Sequence, residues 1–320
     1  MSMKTIEGVL PVVILPYNSD YSVDEGDLRR QIDHVLSIGC DGMVMGQVSE
    51  VSRLKTSERF AIAELIADQI GYRGLSIMST GGESVAQALE FSHQAEAVGS
   101  DALLLMHPSM PALDDDAMYR YFATVIEQVN IPVLVHHAKS LARKPLSIEV
   151  QARLLRAFGP DKVQFKPEAA PTPPRVSALL EATDGKARIF EGDGGMMLVD
   201  TYQRGLAGVI PATEIAEITH ALWHALKAGD TARARQIGYP LAYLMCHMMN
   251  SIDCYLQISK HLLQRRGLIQ RTLSRPPHDY TVDPATFTEV EIVYDSLMVL
   301  CTDSAPQPDI KRKKKELTNG

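Results

Sequence analysis

Between residues 9 and 211 one pattern repeats eight times: a short apolar run, then a longer segment with helical patterning. The runs are residues 9–15, 42–45, 75–79, 102–107, 132–137, 163–166, 188–191 and 208–211. Each is nearly continuous in apolar residues, as strands covered on both faces must be. Strand and helix in steady alternation imply parallel pairing through crossover helices. Eight such units suit a closed α/β barrel, the (β/α)8 or TIM barrel, better than an open sheet of five or six strands.

The intervening segments carry start and stop signals. Ser22-Val-Asp-Glu25 has the spacing of a capping box ahead of a helix that Gly39 should end. Thr172 precedes Pro173 and Pro174, a cap followed by proline in the first turn. Beyond residue 212 the pattern changes to helix after helix with no further strand signal. The expected division is a barrel over 1–212, a helical appendage over 213–302 and a Lys-rich tail over 303–320. Tyr243, Met245, Met248 and Met249 in the appendage fall at mixed helical spacing, which core packing or a subunit contact explains most simply.

Charge and cysteine usage restrict the function. The chain has 32 basic and 39 acidic residues, a formal −7, and the last ten residues carry five basic groups and one acid. The body is therefore acidic, which makes neither nucleic acid nor a membrane an expected partner. Cys40, Cys246, Cys254 and Cys301 are scattered without CxxC spacing, against a disulfide framework or a structural zinc site. No stretch approaches the roughly 18 apolar residues of a membrane span, the first residues lack a signal peptide's pattern, and a cytoplasmic protein is expected.

In such a barrel the active site lies at the C-terminal ends of the strands, so polar residues that end an apolar run are the candidates. They are Gly46-Gln-Val-Ser-Glu50, His107, His136-His137, Lys166 and Glu191-Gly-Asp193. Lys166 closes the run VQF, where apolar surroundings would lower its pKa and free a neutral amine to attack a carbonyl. From strand position alone, a lysine reaching into solvent is equally admissible. His136 and His137 are adjacent on a strand and face opposite ways, so they make a poor metal pair. His220 and His224 are four apart on a helix but lack the glutamate of HExxH. Gly192-Asp-Gly194-Gly195 matches no nucleotide-binding pattern and is expected to be a tight turn. No cofactor and no metal is expected.

Taken in order, these pieces resemble the dihydrodipicolinate synthase and N-acetylneuraminate lyase family of class I, Schiff-base-forming barrels, over about residues 5–300. The stretches are EGVLPVVILPYN, GQVSE (46–50) for the family's G-(T/S)-T-G-E, PVLVHH (132–137) for a strand ending Tyr-Asn, VQFKPE (163–168) for its G-(I/V)-K-(E/D), and FEGDGG with GLAGVIPA. The resemblance implies that Lys166 forms the Schiff base and that the backbone after Gly46 binds the carboxylate of a 2-oxo acid. It also implies a homotetramer. His136 stands in place of the proton-relaying tyrosine, Gln47 and Val48 in place of the threonine pair, and Ser49 in place of a glycine. The fourth-strand turn reads His107-Pro-Ser-Met110 in place of Pro-Tyr-Tyr.

Val48 cannot donate a hydroxyl hydrogen bond to a carboxylate, a loss of roughly 1.5–3 kcal/mol. The hydroxyl relay of the synthases is absent, while imidazole can serve as acid and base in turn. The expectation is a carbon-carbon or carbon-oxygen lyase acting on a 2-oxo acid that is not a true dihydrodipicolinate synthase. Lys166 and His136 are its catalytic residues, and Gly46, Gln47, Val48, Ser49, His107 and Pro211 bind substrate. The alternatives are a barrel that has lost catalysis and binds a small molecule or acts as a scaffold, and a metal aldolase using His107, His136 or His137, and Glu191.

Overall fold

The computed structural model describes residues 4–110, 112–138 and 145–302. The apolar runs become eight strands: β1 Gly8–Val9, β2 Gly42–Met45, β3 Leu75–Ser79, β4 Ala102–Met106, β5 Val133–Ala138, β6 Val163–Glu168, β7 Phe190–Glu191 and β8 Gly208–Val209. All the ladders are parallel. β2 to β6 pair in sequence order, and β1, β8 and β7 form a second ladder. Bridges from Val12 to Val44 and to Ala212, and from Phe165 to Ile189, join the two ladders into a closed ring. Closure removes both sheet edges, and the inward side chains are packed as a core.

Helices α1 (Glu25–Ile38), α2 (Thr56–Ile70), α3 (Val85–Ala97), α4 (Asp115–Glu127), α5 (Ile148–Phe158), α6 (Thr172–Ala182) and α7 (Leu198–Gly205) follow strands one to seven. The cap of α1 is Asp24, whose carboxylate accepts from the Asp27 amide, two residues later than the Ser22 box expected from sequence. Asp24 is the side chain adjacent to the first helical residue, and the shorter reach decides. Gly39 ends α1 in the left-handed conformation at φ 96°, as expected. The cap of α6 is Pro171, one residue before the expected Thr172, because Thr172 already has helical geometry.

α8 (Ala216–Lys227) packs against α1 and β1 and so occupies the place of the eighth barrel helix. The division expected at residue 212 falls between β8 and this helix. α9 (Thr231–Met248), α10 (Ile252–Arg265) and α11 (Pro284–Thr302) follow, with α11 packed on α8 and α9. Met245 and Met248 are buried in the core, whereas Tyr243 is exposed. The Lys-rich segment 303–320 lies outside the described residues. Among the described residues no helix is long and apolar enough to cross a membrane.

Candidate active site

Strand register brings the chemistry together. Lys166 on β6 stands opposite His136 on β5, and cross-strand partners point to the same face. Lys166 Nζ lies 3.3 Å from His136 Nε2 inside the barrel mouth. Strand alternation also turns residue 168 to the same face as residue 166. Glu168 therefore pairs through Oε1 with the Lys166 ammonium, and its Oε2 is 3.2 Å from His136 Nε2. The Asp193 amide approaches Glu168 Oε1 at 3.4 Å. Gly192 is required beside it, since a Cβ there would run into the Glu168 carboxylate.

The all-apolar surroundings expected for Lys166 are thus corrected: its amine has a carboxylate partner. Burial pushes the Glu168 carboxyl up, but the Lys166 ammonium and His136 outweigh burial and hold it well below the usual range. For His136, burial and then the Lys166 charge lower the imidazole pKa, with Glu168 opposing.

These three side chains face a cavity of about 240 Å³. Its wall also includes Gly46, Gln47 and Val48 from the turn after β2, Pro211 after β8, and Asp193 and Gly194 after β7. The appendage closes it with Met249, Asn250, Ser251, Ile252 and Tyr255. Six of the expected site residues, Lys166, His136, Gly46, Gln47, Val48 and Pro211, lie on this wall.

Ser49 and His107 do not. Ser49 is buried beneath the turn, where its hydroxyl accepts from the Gly46 amide at 3.1 Å and donates to the Val13 carbonyl at 2.6 Å. It braces the turn. His107 sits behind the sheet with its ring 5.3 Å from that of His137, its Nδ1 2.8 Å from the Pro108 carbonyl. His137 faces away from the cavity and accepts from the Leu146 amide at 3.2 Å. Burial, then His107 and His136, push its pKa down to about 4. Glu191 turns to the Thr201 hydroxyl and the Met197 amide. Among the described residues no group of three or more His, Cys, Asp or Glu is placed to hold a metal.

Three groups at or behind the cavity wall were not singled out from the sequence. Glu168 lies two residues along β6 from Lys166, past the end expected for the apolar run. Tyr255, and Glu214 behind it, come from distant segments that only the fold unites.

An amine on a barrel strand end, buried at the wall of a cavity and with a proton acceptor against it, is the equipment of lyases that work through a Schiff base, and this barrel is of that class. The family model described as the dihydrodipicolinate synthetase family matches residues 5–288, and the chain belongs to that family. A 4-hydroxy-tetrahydrodipicolinate synthase of Methanopyrus kandleri is 27% identical over 239 residues, 74% of this chain and 79% of its own. The solved 4-hydroxy-tetrahydrodipicolinate synthase of Methylacidiphilum fumariolicum SolV superimposes with a TM-score of 0.84 at 23% identity, over 93% of this chain and 98% of that one. YagE, a prophage protein of this family from E. coli K12 solved in complex with pyruvate, superimposes with a TM-score of 0.82 at 20% identity, over 92% and 99%.

Proposed function

We propose that the protein forms a Schiff base between Lys166 and a small 2-oxo acid, and makes or breaks a carbon-carbon or carbon-oxygen bond beside it. The observation that carries this is the contact of Lys166 Nζ with both Glu168 and His136 at the cavity wall. His136, 3.3 Å from Nζ and charge-balanced by Glu168, takes the ammonium proton, and the freed amine attacks the ketone carbon as one of its own protons passes to the new oxygen. His136 then returns that proton to the carbinolamine hydroxyl, which leaves as water and gives the iminium. The iminium then accepts the electron pair of the breaking bond.

The turn after Gly46 is the proposed carboxylate site. A cavity of about 240 Å³ is smaller than the ~300–1,000 Å³ of drug-sized sites and suits a substrate of few heavy atoms. The pyruvate bound in the related YagE structure supports the same substrate class.

The finer expectation, that this is not a true synthase, gains nothing from the Methanopyrus and Methylacidiphilum relatives, which carry the synthase name. It is supported by side chains alone. His136 carries no hydroxyl, Val48 offers the cavity none, and Met110 is exposed and off the cavity wall. A homotetramer also stands as a proposal, for light scattering to check.

The deciding experiment is borohydride trapping with a series of 2-oxo acids, read by intact mass. An adduct on the peptide that contains Lys166, lost in Lys166→Ala, is the expected result. Absence of any adduct in the wild type would favour a binding or scaffold barrel instead.

A further inference from the structure

Tyr255 reaches the cavity from α10, outside the barrel proper, and its hydroxyl lies 2.8 Å from Glu214 Oε1. Glu214 belongs to the 3-10 turn Thr213–Ile215 after β8 and is fully buried. Its second oxygen, Oε2, has no hydrogen-bond partner. Ser259, one turn further along α10, is buried beside it, and the Tyr294 hydroxyl from α11 donates to the Glu214 carbonyl at 2.8 Å. A carboxyl group buried with one oxygen unmatched is suited to carrying a proton, because the neutral acid is the form such a place tolerates.

We propose that Tyr255 and Glu214 form the proton relay for the carbon side of the reaction, Tyr255 exchanging protons with the substrate carbon next to the imine and Glu214 exchanging them with Tyr255. The proposal rests on the Schiff-base reading of Lys166. It assigns two proton devices to one cavity. His136 and Glu168 are engaged at the nitrogen, where both contact Nζ or each other. Tyr255 enters from the appendage side and supplies the hydroxyl that neither Val48 nor His136 offers.

The step balances without a further reagent. The C3–H bond of the iminium breaks and its electron pair becomes the C2–C3 double bond, while the C=N pair returns to nitrogen as a neutral enamine. The released proton bonds to the Tyr255 oxygen as the phenol's own proton passes to Glu214 Oε1. The reverse sequence returns a proton to carbon.

Glu214 suits this task because burial pushes it up to about 7, against the pull of Tyr255 and Ser259. The groups that face the pair are Ser259 on α10, Tyr294 on α11 with Glu217 and Arg266 beyond it, and Glu168 and Asp193 toward Tyr255. The Tyr255 phenol is itself raised well above its ordinary value by burial and then by Glu214. It therefore acts as a conduit and not as a free base.

The test uses the full chain with pyruvate and 2-oxobutanoate, whose C3 protons exchange with D2O only through the enamine on the enzyme's timescale. Borohydride trapping reads imine formation, and proton NMR reads exchange, across about pH 5.5 to 8.5. In the wild type, exchange should rise through about pH 7 as Glu214 loses its proton. Tyr255→Phe should still be trapped at Lys166 yet exchange about 10²–10⁴-fold more slowly. Glu214→Gln should keep the adduct, slow exchange and lose the step near neutrality. Either variant exchanging within about threefold of wild type with its adduct intact would overturn the relay and leave the Schiff base standing. No adduct in the wild type would overturn both.

Discussion

Glu168 stands two residues beyond Lys166 on β6, so both side chains emerge on the inner face and the carboxylate pairs with the amine. The pair is almost wholly buried, and the second Glu168 oxygen lies 3.2 Å from His136. The Lys166 ammonium must lose a proton before it can attack a carbonyl, and this carboxylate sits against both the amine and the imidazole proposed to take that proton.

Glu168→Gln should therefore slow imine formation at Lys166 by roughly 10²–10⁴, the size of a positioned proton-transfer group. The amide keeps the volume and an acceptor oxygen but carries no charge to balance a protonated His136. Quenched-flow borohydride trapping gives the rate. A variant trapped as fast as wild type would show that the imidazole works without its carboxylate partner.

Lys260 and Glu50 form a second ion pair, with both side chains fully buried and 2.5 Å apart. Lys260 also donates to the Leu273 carbonyl at 2.6 Å, and the Arg275 amide donates to Glu50 at 3.1 Å. The pair ties α10 and the strand-two turn, which carries Gln47 and Val48, to one point. Lys260→Met should cost about 3–5 kcal/mol, because it strands a buried carboxylate. Adding Glu50→Gln should recover part of this, with a coupling of about 0.5–3 kcal/mol in denaturant unfolding. Simple additivity would show that Arg53, 3.3 Å from Glu50, already satisfies the carboxylate.

Stability should decline as pH rises from about 6.5 to 8. Burial raises Glu191 to about 8, opposed by Thr201 and Met197, and raises Glu214 to about 7. A carboxyl raised in the folded state binds a proton that the unfolded chain has released, so its contribution is full below about 4.5 and lost through the folded value. His136 and His137, lowered by burial, act below about 6.5 with the opposite sign and drop out above it. Glu191→Gln should remove about two-thirds of the decline in Tm between pH 6.5 and 8, since Glu214 has largely titrated by then. A wild-type Tm that is flat or rising across that interval would contradict it.

The barrel was legible because eight apolar runs have no other economical arrangement, and all the strands but β1 begin and end within two residues of their runs. β1, β7 and β8 shrink to two residues each, since the ladder there passes through single bridges at Val12 and Ile189. Lys166 was legible as a polar residue ending an apolar run. Glu168 was not, because Pro167 and the expected end of the run at Lys166 hid the continuation of the strand. His107 looked like a site residue for the same reason that Lys166 did, and alternation along β4 sends it behind the sheet. The relay from α10 leaves no periodic signal at all, because Tyr255 and Glu214 meet only when the appendage packs on the barrel.

The same alternation separates His136 from His137 experimentally. His136 faces the cavity beside Lys166, so His136→Phe should slow imine formation by roughly 10²–10⁴ while leaving Tm little changed. His137 faces outward, and its Nδ1 accepts the Leu146 amide. His137→Phe leaves that buried N–H unmatched, so it should cost about 1–3 kcal/mol in stability with trapping rates near wild type. The two measurements, trapping rate and Tm, should move in different variants. The reverse pattern would mean that β5 is paired one residue out of register, because a single-residue slip exchanges the two faces and would carry His136 away from Lys166.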